Sequence, residues 1–173
     1  LAATGAVAGL CPITESSLGD GIFDGVRWLK SGGGIAIGSD SNIRIALAEE
    51  LRTLEYSQRL RDKSRAALAT ADQSTGRRLF NSILQGGAQA AARNSGRIAP
   101  GALADLMVLD DSAIDLEGRY GDVILDSFVF AGSDQMVSNV WSAGRHVVKN
   151  GRHIEHDAIA DRYRRVLRDL GNL

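Results

Sequence analysis

A chain of 173 residues, 44% hydrophobic and 24% charged, is long enough for one domain with a real core and too evenly composed for a tail or linker. Its formal net charge of -1 argues against the basic footprint of a nucleic-acid binder, and its single Cys11 rules out an internal disulfide framework and suits a reducing, cytoplasmic compartment. No apolar stretch approaches the roughly 20 residues of a membrane span. The apolar start lacks the basic residues of a secretion signal. It opens on strand-like sequence without Met, which suggests a further segment upstream.

Residues 6–10 form a short apolar run closed by Cys11-Pro12, where the missing proline N–H should end a strand. Residues 14–21 are polar and glycine-bearing and read as a loop. Phe23, Val26, Trp28 and Leu29 suggest a short helix, stopped by Ser31-Gly32-Gly33-Gly34. Ile35-Ala36-Ile37 follows as a second buried strand running into Gly38-Ser39-Asp40. This alternation has the rhythm of a parallel α/β unit. The glycine run precedes a strand rather than a helix, so it lacks the context of a phosphate-cradling loop.

Helical spacing runs from 43 to about 65, with Ile43, Leu47, Leu51 and Leu54 on one stripe and Glu and Arg on the other face. Arg59, Arg61 and Arg65 alternate with acids and polar residues, which predicts a solvated face. A second helix, over about 76–93, should bury Leu79, Phe80, Ile83 and Leu84, with Ser74 or Thr75 as its cap and Gly96 after its end. Its Gly86-Gly87 pair costs about 1 kcal/mol per glycine relative to Ala, so close packing is the expected reason for it. Residues 98–101 read as a turn, 104–109 as a strand and 123–130 as another. Residues 137–141 and 146–149 flank Ser142-Ala143-Gly144-Arg145 as a hairpin. Ile159, Tyr163, Val166, Leu167 and Leu170 mark a last amphipathic helix. The chain therefore divides into an α/β section over 1–95, a β section over 96–155 and a helix over 156–173.

Asp40 stands where a parallel strand empties into its loop, the end at which catalytic and ligand-binding groups of α/β folds collect. A carboxylate there can hold a cation and exchange a proton with water. An Asx turn or helix N-cap ahead of Ile43 explains the same residue, and position alone does not separate the two. Glu15 and Asp20 lie on the loop after the first strand and read as turn formers or substrate contacts. Cys11 reads as a small strand-end residue, since the only histidines, His146, His153 and His156, lie in the other part of the chain. His153 and His156 would point to opposite faces of an extended segment, a poor metal pair.

Four motifs carry a resemblance. Gly-Ile-Ala-Ile-Gly-Ser-Asp-Ser-Asn at 34–42 resembles the eighth barrel strand of the amidohydrolase superfamily, and Gly-Leu-Cys-Pro-Ile-Thr-Glu-Ser-Ser-Leu-Gly-Asp-Gly at 9–21 its seventh in the deaminase branch. Residues 96–109 are similar to that superfamily's entry into a small β-sandwich, and residues 140–151 to its closing hairpin. The stretches 14–23 and 41–56 narrow the resemblance to a deiminase acting on a linear amidine and releasing ammonia. The resemblance implies an α/β fold: the C-terminal part of a (β/α)8 metal-dependent hydrolase barrel, entered at strand seven, with part of a β-sandwich domain. It implies a divalent metal, zinc, with Asp40 as metal ligand and proton shuttle, a small-molecule substrate and a homodimer. The family's histidine ligands have no counterpart here, because no histidine precedes His146. They belong to an absent N-terminal half, so the chain alone is expected to be inactive. A purine or heterocycle deaminase of the same superfamily, or a non-catalytic scaffold or dimerisation piece, are the alternatives.

Overall fold

The computed structural model describes residues 1–41 and 44–171. Strands β1 (Val7–Leu10) and β2 (Gly34–Ile37) pair in parallel, Val7 opposite Gly34 and Leu10 opposite Ile37. The crossover between them holds two short helices, α1 (Pro12–Leu18) and α2 (Gly25–Lys30). The expected loop after β1 is thus largely helical. Pro12 occupies the first turn, where a missing N–H costs nothing, and Gly19, at φ 74°, ends the helix. Trp28 of α2 lies over Gly33 and donates its indole N–H to the Gly34 carbonyl at 2.8 Å. A Cβ on Gly33 would come within 2.3 Å of that ring, so the glycine run is a packing surface as well as a helix stop.

Helices α3 (Leu47–Asp62) and α4 (Thr75–Ala90) follow and pack on the parallel pair, α4 the more extensively, while α5 (Asp122–Phe130) packs on these two helices. Leu10, Ile35, Leu51, Leu54, Leu79, Phe128 and Val129 make up much of one continuous core. Ser74 caps α4, its hydroxyl accepting the Arg77 N–H. The close packing expected of the glycine pair falls on Gly86, where a Cβ would lie 2.0 Å from the Ile35 carbonyl oxygen. Gly87 meets nothing.

Two expectations need correction. Residues 123–130 form helix α5, not a strand: Leu125, Phe128 and Val129 recur at helical spacing and face α4, where Phe128 meets Phe80 edge-on at 6.4 Å. Helix α3 begins at Leu47, while Ile43 lies outside the described residues. Two polar side chains of α3, Glu55 and Gln58, are buried completely, Gln58 lying one turn beyond Leu54 on the apolar stripe itself. The Glu55 carboxylate accepts the Ala67 and Leu68 N–H groups at 2.8 and 3.0 Å and pairs with Arg59 at 2.6 Å. Gln58 spans the Gly25 N–H and the Phe23 carbonyl at 3.0 and 2.9 Å. Polar side chains survive there because each is saturated with partners.

The C-terminal section holds β3 (Leu106–Leu109), β4 (Val137–Ser142), β5 (Arg145–Lys149) and β6 (Arg152–His153), an antiparallel sheet in that order. Ala143 and Gly144, both at positive φ, turn the β4–β5 hairpin. The last helix, α6 (His156–Gly171), is exposed along nearly its whole length. Among the described residues no helix is long and apolar enough to cross a membrane.

Candidate active site at the strand ends

The parallel register places the carboxyl ends of β1 and β2 side by side. It continues past the strands, the Gly38 N–H donating to the Leu10 carbonyl at 3.0 Å. Cys11 therefore lies at one strand end and the exposed Asp40 just past the other. Asp40 has φ 42°, in the left-handed region. It is not the cap of the following helix: the first N–H groups of α3, those of Leu47 and Ala48, donate to the two carboxylate oxygens of Asp134 at 2.7 and 2.9 Å.

Carboxylates surround Cys11. Burial raises its thiol pKa, and the nearby charges of Asp40, Glu15 and Glu50 raise it further. These charges hold the thiol in its protonated, less nucleophilic form. The Glu15 side chain turns back to accept the Cys11 N–H at 2.7 Å. Glu50, on α3, reaches across to the same segment and accepts the Ile13 N–H at 2.8 Å. Its residue is only 2% exposed, and its second oxygen has no hydrogen-bond partner among the described residues. Burial pushes the Glu50 pKa up, and the charges of Glu15 and Glu49 add to that, against the lowering effect of the Ile13 N–H. The buried Thr14 hydroxyl donates to the Ser39 carbonyl at 3.2 Å, joining α1 to the residue before Asp40.

Neither Glu50 nor Thr14 stood out in the sequence. Glu50 follows Glu49 in a helix rich in charge, and a threonine in a polar stretch reads as a loop residue. Asp20 is exposed beyond the end of α1. The histidines belong to the other section. His146 stacks on Trp141 with ring centres 4.2 Å apart and bonds Asn139 at 2.8 Å, while His153 and His156 are exposed on β6 and at the start of α6. Among the described residues no group of three or more His, Cys, Asp or Glu is placed to hold a metal ion. Asp40 can offer one carboxylate to a cation, but a catalytic zinc takes about three protein ligands. The described residues do not complete such a site.

Residues 2–147 match the family model described as "Amidohydrolase family". A curated relative, formimidoylglutamate deiminase of Pseudomonas aeruginosa, is 47% identical over 171 residues, 98% of this chain but 38% of the relative. A crystal structure of an amidohydrolase from Brucella melitensis superimposes with a TM-score of 0.90 at 41% identity, covering 98% of this chain and 37% of that one. An adenosine deaminase from Xanthomonas campestris with bound zinc shares the fold at a TM-score of 0.81 and 24% identity, covering 97% of this chain and 38% of that one.

Proposed function

This chain belongs to the amidohydrolase family, and from that premise we propose that it is part of a metal-dependent deiminase of histidine breakdown, hydrolysing N-formimino-L-glutamate to N-formyl-L-glutamate and ammonia. The observation that carries this reading is the 47% identity to a formimidoylglutamate deiminase, sustained over 98% of the chain. The parallel β1–β2 pair suits strands seven and eight of a (β/α)8 barrel, and the β3–β6 sheet suits part of the accompanying β-sandwich. The chain spans 38% of that relative's length, and in this reading the remaining ligands and the groups gripping the substrate lie in the rest of the enzyme.

Asp40 is the ligand and proton carrier in this reading. A divalent metal, with zinc favoured by the zinc-containing relative, supplies an acidified water when bound. Asp40 takes the proton of the attacking water as its oxygen bonds to the formimino carbon. It passes that proton to the formimino nitrogen as the C=N double bond opens, and then carries the remaining hydroxyl proton to the same nitrogen, so that the C=O forms, the C–N bond breaks and ammonia leaves. The cytoplasm is the proposed setting and a homodimer the proposed assembly.

Two measurements test the assignment. The chain alone, analysed for metal after gel filtration and assayed for ammonia release, is expected to hold little zinc and to turn over no formiminoglutamate. In the full-length enzyme, Asp40→Asn is expected to lose at least about 100-fold in activity, since even residues that merely support a metal ligand cost about 10–100-fold. Stoichiometric zinc and turnover in the chain alone would overturn the division of the site. Full activity in Asp40→Asn would overturn the role of Asp40.

A further inference from the structure

The left-handed backbone of Asp40 needs an explanation. A non-glycine residue there is in a backbone conformation that L side chains adopt at a cost, which persists only where the surroundings impose it. The next residues described after Ser41 are Arg44 and Ile45, both exposed, and helix α3 begins only at Leu47 with its own cap from Asp134. The constraint visible in the fold comes instead from the neighbouring strand end. The Thr14 hydroxyl holds the Ser39 carbonyl across a sequence separation of 25 residues, and Thr14 is only 3% exposed, so water does not compete for the bond. Thr14 is itself held because the next residue back, Ile13, donates its N–H to Glu50.

Glu50 is a costly choice for that task. Burying a carboxyl group with one oxygen unpartnered works against folding, whereas a neutral acceptor would satisfy one N–H with less penalty. Its location gives it a use that a local cap lacks. Glu50 is on the helix after Asp40 and holds the first turn of α1, whose Thr14 in turn bonds the residue before Asp40.

We infer that Thr14 and Glu50 are positioning residues for Asp40: Glu50 anchors the first turn of α1, and Thr14 transmits that anchor to the Ser39 carbonyl, fixing the backbone that presents the Asp40 carboxylate. The inference rests on the proposed role of Asp40 as metal ligand. Neither side chain touches the reacting atoms.

The test uses the full-length enzyme with Thr14→Val, which removes the hydroxyl at nearly constant shape, and Thr14→Ser, which keeps it. Zinc affinity is measured by competition with a chromophoric chelator, beside kcat and KM for formiminoglutamate. Thr14→Val is expected to weaken zinc binding and lower kcat about tenfold each, in the range typical of groups that orient metal ligands, with KM within about twofold. Thr14→Ser is expected to recover both to within about threefold of the parent. Wild-type zinc affinity and kcat in Thr14→Val would overturn the inference, as would equal damage in Thr14→Val and Thr14→Ser. If Thr14→Val does not fold, the Thr14→Ala and Thr14→Ser pair isolates the hydroxyl by the same readouts, with the same outcomes decisive. Asp40→Asn runs alongside. If it loses zinc and turnover while Thr14→Val keeps both, the brace alone fails; if it keeps both, the ligand reading and the brace fail together.

Discussion

Helices α3 and α6 are each 16 residues long, and both show apolar residues at helical spacing, yet only one of them is inside the protein. On α3, Leu51 is fully buried and Ala48 and Leu54 nearly so. On α6, Ile159, Tyr163, Val166, Leu167 and Leu170 remain between 49% and 63% exposed. Periodicity states that a helix has an apolar face; it does not state what covers that face. The difference extends to polar groups. Glu50, Glu55, Gln58 and Arg52 of α3 all bond backbone groups of other segments, Arg52 taking the Val129 and Gly132 carbonyls at 2.7 Å each. The ion pairs of α6 stay within its own turns and the adjoining hairpin, as with Arg164 and Asp161 at 3.1 Å and Arg152 with Asp157.

The largest expected effect tests the apolar side of that contrast. Leu51→Ala should cost about 3 kcal/mol, the usual loss for a buried leucine whose cavity cannot fully collapse, whereas Leu167→Ala should stay within about 0.5 kcal/mol. Chemical denaturation of the two variants measures both. Equal losses would break the comparison. The same pair in the full-length enzyme sharpens it: a cost of about 2 kcal/mol for Leu167→Ala there would show that the additional polypeptide or a second copy covers α6.

A smaller effect, about 1–2 kcal/mol, is expected for Asp134→Ala, because two N–H groups at the start of α3 lose their acceptor together. Thermal unfolding checks it, and a change indistinguishable from zero would mean that water replaces Asp134 at no cost. This residue also shows why the sequence was only partly legible. The cap of α3 comes from 87 residues away, so the local sequence could only suggest Asp40 or its neighbours as the cap and start the helix too early. The parallel pair, the hairpin and the tight approach at Gly86 were legible because local rules govern them. The α5 stretch was misread because a short run such as Phe128-Val129-Phe130 satisfies strand and helix patterns alike, and its packing on α4 decides between them. In the candidate site, Asp40 could be found from its place after a strand. Thr14 and Glu50 could not, since their importance arises from burial, and a buried glutamate has the same sequence signature as a solvated one.

The smallest expected effect concerns that buried acid. The folded chain holds the Glu50 proton more tightly than the unfolded chain, where the group has its ordinary value of 4.5. The sign follows from linkage: the stabilising contribution is fully present below that value and is lost as pH rises through the higher folded pKa. Glu50→Gln keeps an acceptor for the Ile13 N–H but cannot ionise. Its melting temperature relative to the parent should therefore improve as pH rises from 4.5 through the higher folded pKa and then level off, whatever constant offset the amide introduces. Leu167→Ala on α6 should show no such pH-dependent offset, because it removes no titrating group. A Glu50→Gln offset that stays flat with pH would mean that the carboxyl is hydrated in solution, and the polar side of α3 would then resemble α6 more closely than its burial indicates.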